Sequence, residues 1–317
     1  MTQKKSAKRH YKDLHGIILL DKPKGVSSNL ALQKLRHLIK AQKAGHTGNL
    51  DPMATGLLPC CFGDATKVAH LLINSDKTYL ARCVLGSQTD TGDATGEVIK
   101  TATKNTATDV EIAEACQALT GEIEQIPPMY SALNHQGQRL YQLARQGITV
   151  ERPARKVTIY EFRPLENNNE YIDFEIKVSK GTYIRTLLED FATQLGTVAH
   201  MTALHRIQTG IFSANGMKTI EDIAEIDDLK EVLLPMELAL TEYPGITLTQ
   251  EQTQDLIHGK QISYDNFDNT YVMMDDQDKF LGLGIVKNNR LRVKNIFMKS
   301  YLQSQAGTLH STSQEKV

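Results

Sequence analysis

The segment YIDFEIKVSKGTYIRTLLEDFATQL (171–195) joins the clearest strand pattern of the chain to its clearest helix pattern. Apolar residues first recur at every second position, which is typical of a strand with one buried face. They then recur at helical spacing, which indicates an amphipathic helix. These apolar positions are Ile172, Phe174, Ile176 and Val178 in the strand, and Ile184, Leu187, Leu188, Phe191 and Leu195 in the helix.

The turn between these two elements contains side chains that suggest a site. Gly181 permits a tight strand-to-helix turn, and Thr182 can cap the helix. Tyr183 and Arg185 then fall in the first helical turn. Because the helix dipole disfavours a cation there, a carboxylate partner would explain Arg185. An ordinary surface arginine is the alternative that this segment leaves open.

The elements around this segment predict an α+β fold. Strands and helices follow one another without regular βαβ alternation, which favours a mixed or antiparallel sheet. Ser28 or Asn29 is expected to cap the first helix. The other predicted elements are strands at 16–23, 77–86 and 171–180 and helices at 65–73, 109–119 and 138–146.

The chain changes character near residue 244. An acidic, helical connector is expected at 221–243, and short β-like runs separated by Asp, Asn and Gly follow it. We therefore expect a large domain at 14–243 and a small β-rich domain at 244–302. Residues 1–13 are predicted to be a flexible basic arm, and the polar tail 303–317 is predicted to be disordered.

Composition favours a cytoplasmic enzyme without a metal. Apolar residues make up 40% of the 317 residues, enough for a sizeable core. No apolar run approaches the roughly 18 residues that span a bilayer, and the N-terminus lacks the apolar stretch of a signal peptide. The four cysteines form no C-x-x-C pair, and no histidine cluster completes a metal site. We expect the cysteines to be reduced and buried.

Charge is distributed unevenly along the chain. The net charge of −1 argues weakly against a nucleic-acid partner, but distribution matters more than the sum. Basic residues concentrate near the N-terminus and around 139–156, whereas acidic residues concentrate at 221–237. A basic face of this kind attracts phosphate, although solvated surfaces would give the same pattern. The basic positions are Lys4, Lys5, Lys8, Arg9, Lys12, Arg139, Arg145, Arg152, Arg155 and Lys156.

The loop GHTGNLDPMATG (45–56) is the densest chemical segment. It places Asp51 before Pro52 and near His46, among glycines that allow sharp turns. Taken alone, Asp51 is more simply interpreted as a turn or helix-cap residue, and His46 as an ordinary loop histidine. The surrounding motifs change that interpretation.

Together these motifs resemble the TruB family of tRNA pseudouridine synthases. The resemblance covers residues 15 to about 215 and is weaker beyond them. Several long motifs in the correct order are more specific than any one of them. The motifs are HGIILLDKPKGVSSN, AGHTGNLDPMATGLLPCCFGDATK, TYLARCVLGSQTDTGDATGEV, IEQIPPMYSAL, SKGTYIRTL and AHMTALHRIQTGIF.

The resemblance implies a fold, a reaction and a set of site residues. It implies a mixed-sheet pseudouridine synthase core followed by a small PUA-like RNA-binding domain. The substrate would be uridine 55 in the T-loop of tRNA, with no cofactor and no obligate protein partner, so that the enzyme works as a monomer. The matching site residues are Asp51, as the nucleophile, and His46, Tyr79, Tyr183, Arg185 and Leu204, as substrate contacts.

Three alternatives compete with this interpretation. A guide-RNA-dependent pseudouridine synthase subunit would need protein-partner surfaces and a longer C-terminal RNA-binding region. A non-catalytic tRNA-binding or RNA-folding protein is disfavoured by the intact set of Asp51, Tyr79 and Arg185. A glycoside hydrolase would need paired acids, and the loop around Asp51 offers one carboxylate.

Overall fold

The computed structural model describes residues 11–311 of the 317-residue chain. Most of the predicted basic arm and the last residues of the predicted disordered tail therefore lie outside the described residues. Within 11–311, no helix is both long and apolar enough to cross a membrane.

Where the structure describes them, the two terminal segments are more ordered than the sequence indicates. The carbonyl of Lys12 accepts a hydrogen bond from the N–H of Gln42 at 3.1 Å, so the end of the arm is docked. The start of the tail is helical, within Met298–Ser311. Gln303 Nε2 donates to the carbonyl of Asp13 at 2.8 Å and ties the two ends together. The disorder prediction was wrong for these residues because polar composition does not report such long-range contacts.

The strands form one large sheet, one smaller sheet and two hairpin-like pairs. The strands are β1 (Gly16–Lys22), β2 (Ala44–His46), β3 (Thr55–Phe62), β4 (Lys77–Leu85), β5 (Ser87–Thr89), β6 (Val98–Thr101), β7 (Gly121–Gln125), β8 (Asn134–His135), β9 (Gln138–Arg139), β10 (Arg155–Asn167), β11 (Ile172–Val178), β12 (Ala199–Thr209), β13 (Phe212–Ser213), β14 (Gly245–Thr247), β15 (Ile262–Ser263), β16 (Asn269–Met274), β17 (Phe280–Lys287) and β18 (Arg290–Ile296).

Helices cover the sheets and connect the strands. The α-helices are α1 (Ser28–Leu38), α2 (Ala69–Asn74), α3 (Asp109–Ala118), α4 (Leu140–Ala144), α5 (Ile184–Gln194), α6 (Ile220–Ala224), α7 (Gln250–Ile257) and α8 (Met298–Ser311), and the 3-10 helices are Gly63–Lys67, Leu229–Glu231 and Met236–Leu240. The helix predicted at 65–73 is thus divided into a 3-10 turn and α2. The connector at 221–243 contains only short helical turns.

The large sheet confirms the predicted α+β fold with a mixed sheet. Its strand order is β1-β3-β12-β4-β11-β10-β7, with β2 beside β3 and β13 beside β12. β12 runs parallel to β3 and antiparallel to β4. β4 and β12 lie near the middle of this sheet, and one face of this strand pair forms the floor of the cavity described below.

Helix α5 packs across the large sheet through the apolar side that its sequence predicts. Phe191 on α5 contacts Phe162 and Phe174 on the strands, with ring centroids 5.7 and 5.1 Å apart. Phe174 and Phe191 are fully buried. Truncating such a phenylalanine to alanine typically costs about 3–5 kcal/mol. This packing fixes the start of α5, where Arg185 lies.

The second domain is a five-stranded sheet in the order β14-β16-β17-β18-β15. It shares an apolar cluster with the large domain, in which Phe280 and Phe297 lie with Ile17 and Leu57. Polar contacts reinforce this interface: Lys67 Nζ donates to the carbonyl of Ile296 at 2.7 Å. The β-rich character predicted for this part of the chain is confirmed.

Candidate active site

All the site residues predicted from the sequence line one cavity of about 440 Å³. That volume lies within the usual range of small-ligand sites. The cavity is open to one side and is bounded by the loop after β2, the floor of the large sheet and the start of α5. The predicted residues that it brings together are His46, Asp51, Tyr79, Tyr183, Arg185 and Leu204.

The cavity floor is one face of two adjacent antiparallel strands. On β4 that face carries Lys77 and Tyr79, and on β12 it carries Leu204 and Arg206. Each pair is two residues apart, so both members point to the same side of the sheet. Tyr79 pairs with Arg206 across the strands. Tyr79 and Leu204 are each only 8% exposed and line the cavity with apolar surface.

Asp51 lies in a loop held firmly from both sides. Ser28 Oγ accepts from the N–H of Leu50 at 2.8 Å. The carbonyl of Asp51 accepts from the N–H of Ala54 at 3.0 Å, and that of Pro52 accepts from Gly25 at 2.7 Å. The Asp51-Pro52 dipeptide therefore does form a turn, and the turn directs the carboxylate into the cavity.

Arg185 has the carboxylate partner that its position in the first turn of α5 suggested, and that partner is Asp51. Its Nε lies 2.9 Å from Asp51 Oδ2, and its side chain is 4% exposed. Nη1 donates to the carbonyl of Thr91 at 2.6 Å, and Nη2 donates to that of Tyr130 at 2.8 Å. The predicted ion pair is present, but the guanidinium contacts the carboxylate through Nε rather than through two paired hydrogen bonds. Its remaining donors hold two loops.

The environment of Asp51 opposes ionisation more than it favours it. Desolvation raises the pKa of Asp51, the charge and hydrogen bond of Arg185 lower it, and the charge of Asp93 raises it again. The side chain is 36% exposed, because one side opens to the cavity while protein surrounds the others. A substrate that closes the cavity would remove that remaining water, which makes Arg185 necessary for keeping the carboxylate charged.

Asp93, which the sequence did not single out, lies near the same Nε of Arg185 that contacts Asp51. Its Oδ2 is 4.0 Å from Arg185 Nε, and its side chain is only 7% exposed. Oδ1 accepts from the hydroxyl of Thr91 at 3.0 Å and from the N–H of Thr95 at 2.9 Å. Two carboxylates therefore lie near the Nε of the buried guanidinium. The Gly- and Thr-rich setting of Asp93 was the available signal, but such segments are usually turns.

Lys22 is a second residue that the sequence did not single out. It is fully buried at the end of β1. Its Nζ donates to the carbonyls of Val26 at 2.7 Å, Pro23 at 2.9 Å and Pro52 at 3.4 Å, which fixes the loop of Asp51. Desolvation lowers the pKa of Lys22 to about 8. The signal for Lys22 in the sequence was its position at the end of a buried apolar strand.

Tyr183 borders the cavity where β11 turns into α5. Its N–H donates to Gln125 Oε1 at 2.7 Å, and its carbonyl accepts from Gln125 Nε2 at 3.1 Å. The guanidinium of Arg155 lies 4.9 Å from the centre of its ring. The predicted cap by Thr182 is wrong, because its hydroxyl instead donates to the carbonyl of Ser179. Gly181 adopts φ +82°, as the tight turn required.

His46 ends β2 at the mouth of the cavity. Desolvation and the nearby charge of Arg206 lower its pKa. The lowered pKa favours the uncharged imidazole at neutral pH.

The described residues offer no evident metal site or reactive thiol. No group of three or more His, Cys, Asp or Glu side chains within 11–311 could hold a metal ion. The four cysteines are free and buried. Burial raises the pKa of Cys61 and Cys116 to about 12, so neither is a thiolate at neutral pH. The absence of a cofactor remains a prediction.

Family models match almost the whole described chain. The TruB family pseudouridylate synthase N-terminal domain matches residues 36–184. The tRNA pseudouridylate synthase B C-terminal domain matches 185–241, and the TruB C-terminal domain of pseudouridine synthase II matches 244–297. The second and third of these matches are separated only by residues 242–243.

Curated relatives resemble the chain over nearly their full length. The tRNA pseudouridine synthase B of Neisseria meningitidis serogroup A is 44% identical over 95% of this chain and 99% of its own. The enzyme of the same name from Hydrogenovibrio crunogenus is 43% identical over 92% and 96%. That from Chromohalobacter salexigens is 48% identical over 80% and 83%.

Solved structures support the fold. A chain from a Cbf5–Nop10–Gar1 complex superposes with a TM-score of 0.69 at 24% identity, covering 89% of this chain and 85% of that one. A chain from an H/ACA ribonucleoprotein with a bound substrate RNA gives a TM-score of 0.68 at 22% identity. The family assignment rests on the closer sequence relatives. The chain belongs to the TruB family of tRNA pseudouridine synthases.

Proposed function

We propose that this enzyme converts uridine 55 in the T-loop of tRNA to pseudouridine, with Asp51 as the nucleophile. The observation that carries the proposal is the Asp51–Arg185 pair at the end of a cavity lined by Tyr79 and Leu204. The pair supplies an oriented carboxylate, and the cavity accommodates a single base. The relatives with this sequence pattern are tRNA pseudouridine synthases by name.

The reaction is an isomerisation that needs no external atoms. The bond between N1 of uracil and C1′ of ribose breaks, the base rotates, and a bond forms between C5 and C1′. The proton lost from C5 is balanced by the one gained at N1. A carboxylate that forms a covalent intermediate divides this hard step into easier ones. Asp51 must be ionised to do so, and Arg185 favours that state.

The target base must leave the RNA stack before Asp51 can reach it. In the cavity, the ring of Tyr79 would pack on one side of the uracil and Leu204 on the other. His46, at the mouth, would occupy the space that the base leaves in the loop. Tyr183 closes the opposite wall, where Arg155 covers its ring.

An isolated T-stem-loop tests the activity and its cofactor independence together. Pure protein is incubated with an unmodified stem-loop in EDTA, and pseudouridine is mapped along the strand. We expect it only at the position of uridine 55. Modification at a different uridine would contradict the proposed site. A loss of activity that only added metal restores would contradict cofactor independence, since the short stem-loop folds without Mg²⁺.

We also propose that the PUA-like C-terminal domain contacts the tRNA backbone. On β18, Arg290, Arg292 and Lys294 alternate on one exposed face. Replacing all three by alanine should weaken binding of full-length tRNA and flatten its dependence on salt, by about one unit of slope per lost phosphate contact. Binding of the isolated T-stem-loop should change little. An unchanged salt slope for full-length tRNA would refute this role. The cytoplasmic location and monomeric state remain predictions.

A further inference from the structure

Besides Arg185, three buried cations lie in the cavity wall or beneath the loop of Asp51, and one of them differs from the other two. Lys22, Lys77 and Arg206 are 0%, 7% and 1% exposed. The ammonium of Lys22 is bound by three backbone carbonyls. The ammonium of Lys77 is likewise bound by the carbonyls of Leu72, Ile73 and Ser75. Both charges are therefore satisfied by the protein.

Arg206 is not satisfied in this way. Its Nε donates to the carbonyl of Leu57 at 2.7 Å. Its Nη2 is buried and has no hydrogen-bond partner among residues 11–311. No carboxylate in that part of the chain lies within ion-pair distance of it. A buried guanidinium without a counter-charge is costly, and native proteins normally pair it.

The charge of Arg206 affects the pKa of neighbouring side chains. Desolvation lowers the pKa of His46, Lys22 and Lys77, and the charge of Arg206 lowers each of them further. Asp51, the acid that also lies in the cavity, is instead bound by Arg185. The region beneath the loop of Asp51 therefore holds positive charge that no carboxylate among residues 11–311 compensates.

Arg206 also faces the place where a nucleotide would enter. It lines the cavity together with Gly48 and Leu204. Its Nη1 lies 3.8 Å from the position that a Cβ on Gly48 would take. Gly48 has φ +127° and no side chain that could lie between the guanidinium and the cavity.

We propose that Arg206 binds a phosphate flanking the target uridine when that nucleotide is turned into the cavity. A phosphodiester follows its base and is the one anion that the substrate brings. The planar guanidinium matches phosphate oxygens better than the neutral carbonyls of uracil, which would leave the charge uncompensated. This assignment rests on the proposed function, because it requires a flipped nucleotide in the cavity.

Neutral phosphate analogues test the assignment on the wild-type protein. Stem-loops carrying a methylphosphonate at the 5′ or the 3′ phosphate of the target uridine are compared with the all-phosphate stem-loop. We expect one of the two to lower kcat/KM by about ten- to a hundredfold, the range for loss of a charge-assisted hydrogen bond. Full activity on both analogues would overturn the proposal.

Variants then identify the residue that reads the phosphate. Arg206→Met should lower kcat/KM on the all-phosphate substrate by a similar factor. On the sensitive methylphosphonate, the kcat/KM of this variant should fall little further, because the protein change and the RNA change remove the same interaction. Arg206→Lys, which keeps the charge, should fall between. Arg163→Met, at an exposed ion pair, should keep the full methylphosphonate effect.

Each outcome addresses one claim. The methylphosphonate effect is the fall in kcat/KM from the all-phosphate stem-loop to the sensitive methylphosphonate stem-loop. If that effect is as large in a folded Arg206→Met or Arg206→Lys protein as in the wild type, the assignment to Arg206 is overturned. If Arg206→Met does not fold, Arg206→Lys and the wild-type comparison decide. Failure of the wild-type protein to modify the all-phosphate stem-loop would contradict the proposed function itself. Activity that survives both analogues contradicts only the role of Arg206.

Discussion

Arg185 combines functions that a surface arginine would not. It lies in the first turn of α5, where the helix dipole disfavours a cation, and it is 4% exposed. Asp51 and Asp93 compensate its charge, while the carbonyls of Thr91 and Tyr130 receive its remaining donors. One side chain thus orients the proposed nucleophile and anchors two neighbouring loops.

Replacing Arg185 by alanine should change both the pH profile and the stability. The pKa of Asp51 is already raised by desolvation, and Arg185 lowers it, so loss of Arg185 should raise it further. Activity requires the ionised form, so the acid limb of the pH–kcat/KM profile should move to higher pH. Because the buried Asp93 and the partly exposed Asp51 lose their counter-charge, unfolding should become easier by up to about 3–5 kcal/mol.

Two further variants control this experiment. Arg185→Lys should rescue poorly, since an ammonium cannot contact Asp51 and two carbonyls in the same fixed geometry. Arg163→Ala removes an exposed arginine paired with Glu175 and should cost little stability. An Arg185→Ala protein with the wild-type pH profile and melting temperature would show that the ion pair has neither role.

At the scale of elements, the start of β3 depends on a glycine that no other residue can replace without strain. Gly56 has φ +96°, and an added Cβ would lie 2.4 Å from the carbonyl oxygen of Arg206. Gly56→Ala should therefore be destabilising through both backbone strain and a clash with β12, by roughly 2–4 kcal/mol. The melting temperature measures this cost.

Gly216 provides a matched control for that substitution. It also has positive φ, +88°, but an added Cβ there would meet no atom within 4 Å. Gly216→Ala should show the backbone strain alone. Equal costs at the two positions would mean that the close approach of β3 and β12 does not restrict residue 56.

The sequence predicts a helix or strand well when the spacing of apolar residues within that element matches its buried face. The alternation at Ile172–Val178 and the helical spacing at Ile184–Gln194 match β11 and α5 closely. Element ends are less accurate, because capping depends on a few atoms. Ser27, rather than Ser28 or Asn29, caps α1 by accepting from the N–H of Leu30. The cap expected from Thr182 fails because its hydroxyl bonds to the carbonyl of Ser179.

Dependence on contacts that the local sequence does not show also explains which site residues could be found from the sequence. Motif order singled out Asp51 and Arg185, and the structure brings them into contact. Asp93 and Arg206 lie within motifs that had been recognised, yet their roles depend on what lies across the sheet or behind a loop. A single sequence without a structure carries no sign that Asp93 lies beside Arg185 or that Arg206 lacks a partner.

At the scale of the whole molecule, the two domains share one apolar cluster. Phe297 is fully buried at this interface, and its ring centre lies 5.0 Å from that of Phe280. Removing the second domain before Gly245 would expose Ile17 and Leu57 on the catalytic domain. Truncation is therefore a poor test of RNA binding, which is why surface substitutions on β18 are preferable.

Substitution of Phe297 by alanine tests whether the domains unfold together. We expect a loss of about 3–5 kcal/mol and a single calorimetric transition at lower temperature, because the cavity opens in a core that both domains share. Phe267→Ala should leave the transition unchanged, since Phe267 is 85% exposed. Two separate transitions in the wild-type protein would contradict this shared core.

The central claim is that the carboxylate of Asp51 performs the chemistry, and Asp51→Asn tests it most directly. The protein is incubated with an unmodified T-stem-loop, pseudouridine at uridine 55 is measured, and binding of the same RNA is measured in parallel. Asp51→Ala serves as a matched variant, because it cannot regain a carboxylate by deamidation. The account predicts no pseudouridine above the protein-free control from either variant, with RNA affinity close to that of the wild type, since backbone contacts supply most of the affinity. Pseudouridine formation by Asp51→Ala at a measurable rate would contradict it.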